Sequence, residues 1–313
     1  MVPPFDRGQR NETGDRNFKS LPRLGSRLAD FRHFEYTAEK RKEGTAMGAK
    51  ELFDSGDLHG AIDQLTQDVK ANPRELRSRI FLFELLCFAA EFDRAGRQLD
   101  AIAQMSGNVQ VEMGVQVYRN VLQAETARRA FFEGKSLQPK FLSEPPPYAG
   151  LHLQAIGKLR ENQVQDFENL LDESSDLREP LKGQVDGSPF NDLRDGDDLI
   201  GPFLEVLFHT DYVWLPFEQI KQIQIQSPRT LRDLIWTPAK VELRNQPLGD
   251  VYLPAQYHGS AEHPDDRVKL GRMTDWKKVG EGTYLGVGQR MLLVDETEQA
   301  LLQIRNIEFA ISS

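Results

Sequence analysis

Two histidines, His258 and His263, lie close together in the sequence with carboxylates nearby. Imidazole and carboxylate groups are common ligands of transition metals, so the spacing raises the question of a metal site. The neighbouring carboxylates are Glu262, Asp265 and Asp266. The segment also contains glycine and proline, and no cysteine lies near enough to join it. We therefore interpret it as a loop and predict no bound metal.

A second group of potential ligands is a series of aspartates that includes Asp192, Asp195, Asp197 and Asp198. Carboxylates bind hard cations such as Ca²⁺, but the sequence after Gly196 lacks the glutamate that completes an EF-hand loop. Glycine and proline punctuate the same stretch. We interpret it as a solvated linker, with Asp197 or Asp198 capping a helix over residues 199–209.

The remaining chemical patterns are weaker. Residues 280–288 contain four glycines, but the stretch lies between two predicted strands rather than before a helix. We predict a turn there, not a nucleotide-binding loop. His209 and Asp211 point the same way on a strand, yet such a pair alone supports no reaction.

None of the strong catalytic motifs is present. The sequence has no P-loop, no Gly-x-Ser-x-Gly elbow and no His-Glu-x-x-His helix. We therefore predict a protein without catalytic residues, without a cofactor and without enzyme activity. A metal-dependent or hydrolytic enzyme in the C-terminal part remains the alternative.

All three tryptophans lie in the C-terminal half of the chain. Each can pack in the core or line a groove for a partner, since tryptophan and arginine dominate interface energetics. Arg232 can also form a buried ion pair with the adjacent Asp233. The candidates for partner binding are Trp214, Phe217, Arg232, Trp236 and Trp276.

Length and composition limit what the surrounding elements can be. A chain of 313 residues suggests two domains, and its net charge of −9 argues against nucleic-acid binding. No apolar run approaches the length of a membrane helix, so we expect no membrane contact. The single cysteine, Cys87, fits a reducing cytoplasm and is interpreted as a small buried hydrophobe.

Residues 1–46 differ from the rest of the sequence. They contain ten Lys and Arg against seven Asp and Glu, a charge of +3, so residues 47–313 carry −12 and the whole chain −9. Prolines and glycines interrupt the segment repeatedly. We expect a disordered extension, with translation starting at Met47.

A 34-residue period predicts the fold of the segment that follows. Shifting the chain by 34 residues places Gly56 on Ala90 and Ala61 on Ala95. Small residues at a helix turn and early in a second helix let antiparallel helices approach closely, as in tetratricopeptide repeats. We predict a tetratricopeptide-like helical domain over residues 47–180, with further helices at 111–132, 151–159 and 164–171.

The pattern changes near residue 180, where short β-prone segments replace helical spacing. We predict strands at 212–215, 220–226, 239–243, 251–257, 269–277, 284–294 and 301–309. The connections are too short for repeated helical crossovers, which favours an antiparallel sheet. The expected fold is multidomain, with helical repeats followed by a strand-rich, mainly antiparallel α+β domain over residues 181–313.

Several motifs in this second part resemble one known family. They are Asp198-Leu-Ile-Gly-Pro-Phe-Leu-Glu205, Tyr212-Val-Trp-Leu-Pro-Phe217, Ser227-Pro-Arg-Thr-Leu-Arg-Asp-Leu-Ile-Trp236, Leu253-Pro-Ala-Gln-Tyr257, Thr274-Asp-Trp276 and Gly286-Val-Gly-Gln-Arg290. Together they are similar to the ImpE family, also called SciE or TagJ, which comprises accessory proteins of the bacterial type VI secretion system. The resemblance runs from about residue 48 to 309. One departure is Leu199-Ile200, where the family pattern has Arg-Leu, so no role of that arginine carries over.

The resemblance implies a cytoplasmic, non-catalytic accessory protein. Its implied partner is the small subunit of the contractile sheath, bound through a helix near that subunit's N-terminus. The family is linked to handling of contracted sheath alongside the disassembly ATPase, which is at most an indirect partner. A helical-repeat scaffold suited to holding a peptide or helix is compatible with this role.

Overall fold

The computed structural model describes residues 47–135 and 138–310. The extension expected over residues 1–46 lies outside the described part, and the start expected at Met47 stays a prediction. Within that part seven helices come first: α1 (Ala49–Ser55), α2 (Leu58–Ala71), α3 (Leu76–Phe88), α4 (Phe92–Ser106), α5 (Val109–Phe132), α6 (Pro147–Arg160) and α7 (Val164–Asp176).

The first four helices form two hairpins whose second helices start 34 residues apart, at Leu58 and Phe92. Each hairpin turns through a residue with positive φ: Gly56 at 97° and Ala90 at 55°. Ala61 and Ala95 are both fully buried, as small residues between close helices should be. The second helices of the two hairpins have the expected 34-residue spacing. The roles of Ala61 and Ala95 in repeat packing and the tetratricopeptide assignment stay predictions.

Three more helices follow and overlap the predicted ranges, although α6 begins four residues earlier, at Pro147, and α7 ends five residues later, at Asp176. Helix α5 begins two residues before the prediction, because the Asn108 side chain accepts a hydrogen bond from the backbone N–H of Gln110. Helices α6 and α7 form a hairpin that turns at Asn162, with φ at 58°.

The strand-rich part contains thirteen strands and a short helix among the described residues. The strands are β1 (Gly183–Val185), β2 (Ser188–Phe190), β3 (Leu193–Asp195), β4 (Phe203–Phe208), β5 (Asp211–Pro216), β6 (Ile220–Ile225), β7 (Trp236–Leu243), β8 (Pro247–Pro254), β9 (Thr274–Val279), β10 (Thr283–Gly288), β11 (Met291–Val294), β12 (Thr297–Ala300) and β13 (Asn306–Phe309). The short helix is α8 (Asp266–Lys269). The main sheet has the order β2-β1-β13-β6-β7-β8-β4-β5, and its strand pairings are antiparallel.

Five predictions for this part were wrong in detail. Of residues 301–309, only Asn306–Phe309 form a strand, β13, whereas Leu301–Gln303 form a 3₁₀ turn. Residues 199–209 form a turn followed by strand β4 rather than a helix. Side chains on both faces of β4 are buried, as in a strand that is covered on both sides. The expected linker contains strands β1 to β3. Residues 269–277 are divided between the end of α8 and the start of β9. Residues 284–294 form two strands, β10 and β11, instead of one.

The main sheet lies between two hydrophobic cores. Alternate residues of β5 separate cleanly: Tyr212 and Trp214 face the helices, whereas Val213 and Leu215 face the second core. The first core continues without interruption from helices α1–α6 into the sheet. Both faces of the sheet are therefore covered, and the helical part packs against the strand-rich part directly.

Candidate functional site

Four charged side chains are buried together where helix α5 crosses the sheet. Arg128 of α5 donates to both carboxylate oxygens of Glu205 on β4, with Nε–Oε1 at 2.7 Å and Nη2–Oε2 at 3.1 Å. Arg290 also contacts Glu205 and donates to Asp195 at 2.7 Å. All four residues, which we name the junction cluster (Arg128, Asp195, Glu205, Arg290), are at most 3% exposed.

The junction cluster holds Glu205 in its charged form. Burial alone raises the pKa of a carboxyl group, but the charges of Arg128 and Arg290 outweigh it and lower the pKa of Glu205 to about 2. Asp195 has one arginine partner, Arg290, instead of two. The effect of burial outweighs the charge of that single arginine, so the pKa of Asp195 is raised. Both arginines are paired with acids of the protein itself, so the cluster ties helix α5 to the sheet.

A small cavity of about 40 Å³ lies beside the junction cluster. Its lining includes Cys87, Arg129, Trp236 and His258. Its volume is comparable to that of one or two water molecules and too small for a typical ligand. Burial raises the pKa of the Cys87 thiol well above its usual value, so the thiol is neutral and unreactive, as the sequence predicted.

The two histidines with the spacing of metal ligands have other neighbours. His258 stacks on Phe132 at 4.8 Å, and burial, followed by the charges of Arg128 and Arg129, lowers its pKa to about 4. His263 contacts the Asp275 carboxylate at 3.2 Å. Across residues 47–135 and 138–310, His, Cys, Asp and Glu side chains form no group of three placed to hold a metal.

The aspartates interpreted as a solvated linker are structural, which corrects that interpretation. Asp197 is buried and accepts backbone N–H groups of Leu199 and Gly286. Asp198 accepts the N–H of Tyr284 at 2.7 Å. These two side chains fasten strand β10 to the loop that precedes β4, where the sequence suggested only a helix cap.

Of the glycine-rich stretch 280–288, only residues 280–282 form a turn, which joins β9 to β10, whereas Gly286 and Gly288 lie within β10. The Glu168 carboxylate of α7 accepts the backbone N–H groups of Glu281 and Gly282, each at 2.9 Å. Gly280 has φ at 67° and its Cα lies so close to Glu168 that a β-carbon would collide with the carboxylate. The turn therefore binds an acidic side chain of the protein itself.

Three of the five residues proposed for partner binding are in the core. Trp214, Phe217 and Trp236 are at most 1% exposed. Trp236 donates its indole N–H to Glu125 at 3.1 Å, which again joins the sheet to α5. Each of these three side chains packs in the core, so in this conformation none of them offers a surface to a partner. Trp276 is half-buried against Tyr257.

Arg232 pairs across the two parts of the chain rather than with its neighbour. Its guanidinium donates to Glu84 of α3 at 2.8 Å and lies 4.7 Å from the ring centroid of Tyr118. Asp233, the partner suggested by the sequence, instead accepts the backbone N–H groups of Arg229 and Thr230. The suggested Arg232–Asp233 pair is therefore wrong, because Asp233 caps its own 3₁₀ turn.

The strand-rich part covers one face of helices α1, α3 and α5. Arg272 lies over Phe53 of α1, Arg232 pairs with α3, and Tyr252 packs against Tyr118 of α5. A partner can therefore reach these helices only on their other faces.

One exposed apolar feature escaped the sequence analysis. Val109, Met113 and Val117 of α5 are 70%, 66% and 40% exposed. Their spacing of four residues indicates one shared face of a helix. The same helix also carries buried valines at other positions, so the sequence did not show which valines are exposed. We name these three residues the α5 stripe.

Helical hairpins held on one face of an antiparallel sheet by buried ion pairs define a two-part α+β scaffold. No helix among residues 47–135 and 138–310 is both long enough and apolar enough to cross a membrane. The comparisons with known proteins agree with this class.

The ImpE protein family matches residues 187–308. The type VI secretion system accessory component TagJ of Pseudomonas aeruginosa is 34% identical over 287 residues, covering 92% of this chain and 95% of TagJ. The chain belongs to the ImpE family. A crystal structure of a Vibrio parahaemolyticus protein has the same fold, with a TM-score of 0.76 at 24% identity, covering 84% of this chain and 98% of that one.

Proposed function

We propose that this protein is a non-catalytic accessory component of a type VI secretion system that acts by binding another protein of that system. The similarity to TagJ over nearly the whole chain carries the proposal. Because the match extends through both the helices and the sheet, it concerns the entire scaffold and not one shared module.

The partner in this proposal is the small subunit of the contractile sheath, bound in the cytoplasm through a helix near its N-terminus. Helical scaffolds recognise amphipathic helices by covering their apolar face. The buried, paired charges at the junction support a binding role, since they fasten the helices to the sheet and make one scaffold of the two parts. Any contact with the sheath-disassembly ATPase is indirect in this view.

The alternative, an enzyme in the strand-rich part, lacks a supporting observation. The cavity beside His258 holds about 40 Å³. The His263 ring is engaged by Asp275 and by the N–H of Asp265. Neither arrangement brings a nucleophile or a metal ligand set to a space that a substrate can enter.

Titration calorimetry with the small sheath subunit of the same secretion system tests the proposal. We expect binding with a Kd from roughly micromolar to tens of nanomolar, because ordering a flexible helix offsets part of the contact energy. A synthetic peptide of the subunit's N-terminal helix should bind as well, and a scrambled peptide of the same composition is its control. The absence of a complex with both the intact subunit and the peptide would remove the proposal.

A further inference from the structure

The α5 stripe is the main exposed apolar surface in the described part of the chain. Of five large hydrophobic residues that are strongly exposed there, three are Val109, Met113 and Val117. Residues four apart lie above one another on a helix, so the three side chains form one continuous row. The other two, Met47 and Leu177, belong to other segments.

The surroundings of the α5 stripe are almost without charge. Between residues 101 and 118 the only charged side chain is Glu112, although 28% of the whole chain is charged. The residues beside the stripe on the helix include Gln110, Gln116 and Asn120. Depletion of charge around exposed apolar groups is typical of the centre of a protein interface.

The α5 stripe also lies at the open end of the helical stack. Helix α5 packs on α4 through the opposite face, on which Val115 is buried and Tyr118 and Val111 are partly buried. Stacked helical repeats need a polar outer face on their last element. The first half of α5 has an apolar outer face instead, as expected where a further helix packs.

Gly114 is a separate observation that also indicates a further helix packing on the α5 stripe. A glycine inside a helix costs about 1 kcal/mol relative to alanine. A β-carbon at Gly114 would meet nothing within 4 Å, so packing within the chain does not require glycine there. Gly114 lies three residues before Val117, on the flank of the stripe, where its missing side chain allows the backbone of another helix to approach closely.

We propose that the α5 stripe is the docking surface for an amphipathic helix of the partner protein, with Val109, Met113 and Val117 contacting its apolar face and Gly114 lying at the closest approach. This inference rests on the proposed function. Charge complementarity sets the occupant's chemistry: the segment 101–118, which contains the stripe and has one charge in 18 residues, accepts an uncharged apolar face.

A second copy of this chain is a poorer occupant. A stable symmetric pair buries roughly 1,200 Å² or more in total, and three side chains over two helical turns fall well short of that area. An added helix covers the stripe and its flanks while the rest of the partner remains free. The occupant is therefore a helical segment of a different protein.

The test compares the wild-type chain with a variant carrying both Met113→Lys and Val117→Lys. Leu177→Lys is the matched control, since Leu177 is a large apolar residue that is 54% exposed elsewhere. The probes are the intact small sheath subunit and the peptide of its N-terminal helix. We expect the double variant to bind both at least about tenfold more weakly, as for central interface residues, and the control to bind within about twofold of wild type.

A second variant, Gly114→Ala, separates docking from folding. Alanine should leave the melting temperature unchanged or raise it, yet weaken binding several-fold by keeping the partner's backbone away. Unchanged binding by the double variant, with wild type binding normally, would overturn the docking site and leave the proposed function standing.

Two other results would also overturn the docking site. Failure of the wild-type chain to bind either probe would overturn both proposals. Sedimentation that shows a wild-type dimer, separated into monomers by the two lysines, would identify a second copy as the occupant and overturn the docking site.

Discussion

At the scale of single residues, the charged groups of the junction cluster matter most for stability. Glu205 is fully buried between Arg128 and Arg290, and its pKa is lowered to about 2 by those two charges acting against burial. A buried ion pair is worth little compared with a well-packed apolar group, but removal of one partner leaves an uncompensated charge. Loss of the Glu205 carboxylate would remove an ion-pair partner from both Arg128 and Arg290.

We therefore expect Glu205→Gln to lower the free energy of unfolding by about 3–5 kcal/mol. Urea titration followed by circular dichroism measures this change. Glu242→Gln is the control, because the Lys221–Glu242 pair is exposed and such pairs contribute about 0–1 kcal/mol. Equal, small losses for both variants would show that the cluster does not hold the helices to the sheet.

At the scale of elements, the two helical hairpins depend on close contact between helices. Ala61 and Ala95 are fully buried at equivalent positions of α2 and α4. A tryptophan at either position must displace neighbouring side chains or the facing helix, and overpacking of this kind costs about 1–3 kcal/mol or more.

Ala61→Trp and Ala95→Trp should each lower the melting temperature markedly and reduce helix content. Ala71→Trp makes the same substitution at an exposed position near the end of α2 and should leave both unchanged. Circular dichroism during heating distinguishes the three variants. Normal melting of Ala61→Trp and Ala95→Trp would mean that the 34-residue alignment does not identify contact positions.

The elements that could be predicted from the sequence are those with a strong local period. Helices α2, α4 and α7 have such a period, and the equivalence of Gly56 and Ala90 follows from the 34-residue spacing alone. Strand β4 was mistaken for a helix because five of its six residues are apolar and occupy both faces, so its sequence shows no alternation. Strands β1 to β3 have three residues each, too few to show any period.

The candidate sites were less predictable than the elements. Glu205 and Arg290 both lie in motifs that carried the family resemblance, but their contacts with Arg128 and Asp195 join residues 77 to 95 positions apart. No local pattern specifies such pairings. The burial of Trp214 and Trp236 was likewise undecided, because a tryptophan of the core and one of an interface have the same sequence neighbours.

At the scale of the whole molecule, the helices and the sheet depend on each other. The division into domains at residues 47–180 and 181–313 separates two kinds of secondary structure and stays a prediction. One hydrophobic core includes Leu86 of α3, Phe131 of α5 and Trp214 of β5, so the segments share buried surface. Ion pairs such as Glu84–Arg232 cross the same boundary.

We expect the two segments to unfold as one cooperative unit. Separating them would expose Phe131 and Trp214, whose rings lie 5.5 Å apart, and would break the buried ion pair between Arg128 and Glu205. Both effects are unfavourable, so neither segment should be stable while the other is unfolded.

Differential scanning calorimetry of the full chain should therefore show a single transition, with equal calorimetric and van't Hoff enthalpies. The segment 47–180 produced alone should bind a hydrophobic dye and melt without a cooperative transition, because the face of its helices that contacts the sheet would be open to water. The α5 stripe is exposed in both the full chain and the isolated segment. Dye binding therefore supports the prediction only where the segment binds more dye than the full chain does. Two separate transitions, or a cooperative melt of the isolated segment near the temperature of the full chain, would instead establish two independent domains whose shared core adds little to the stability of either.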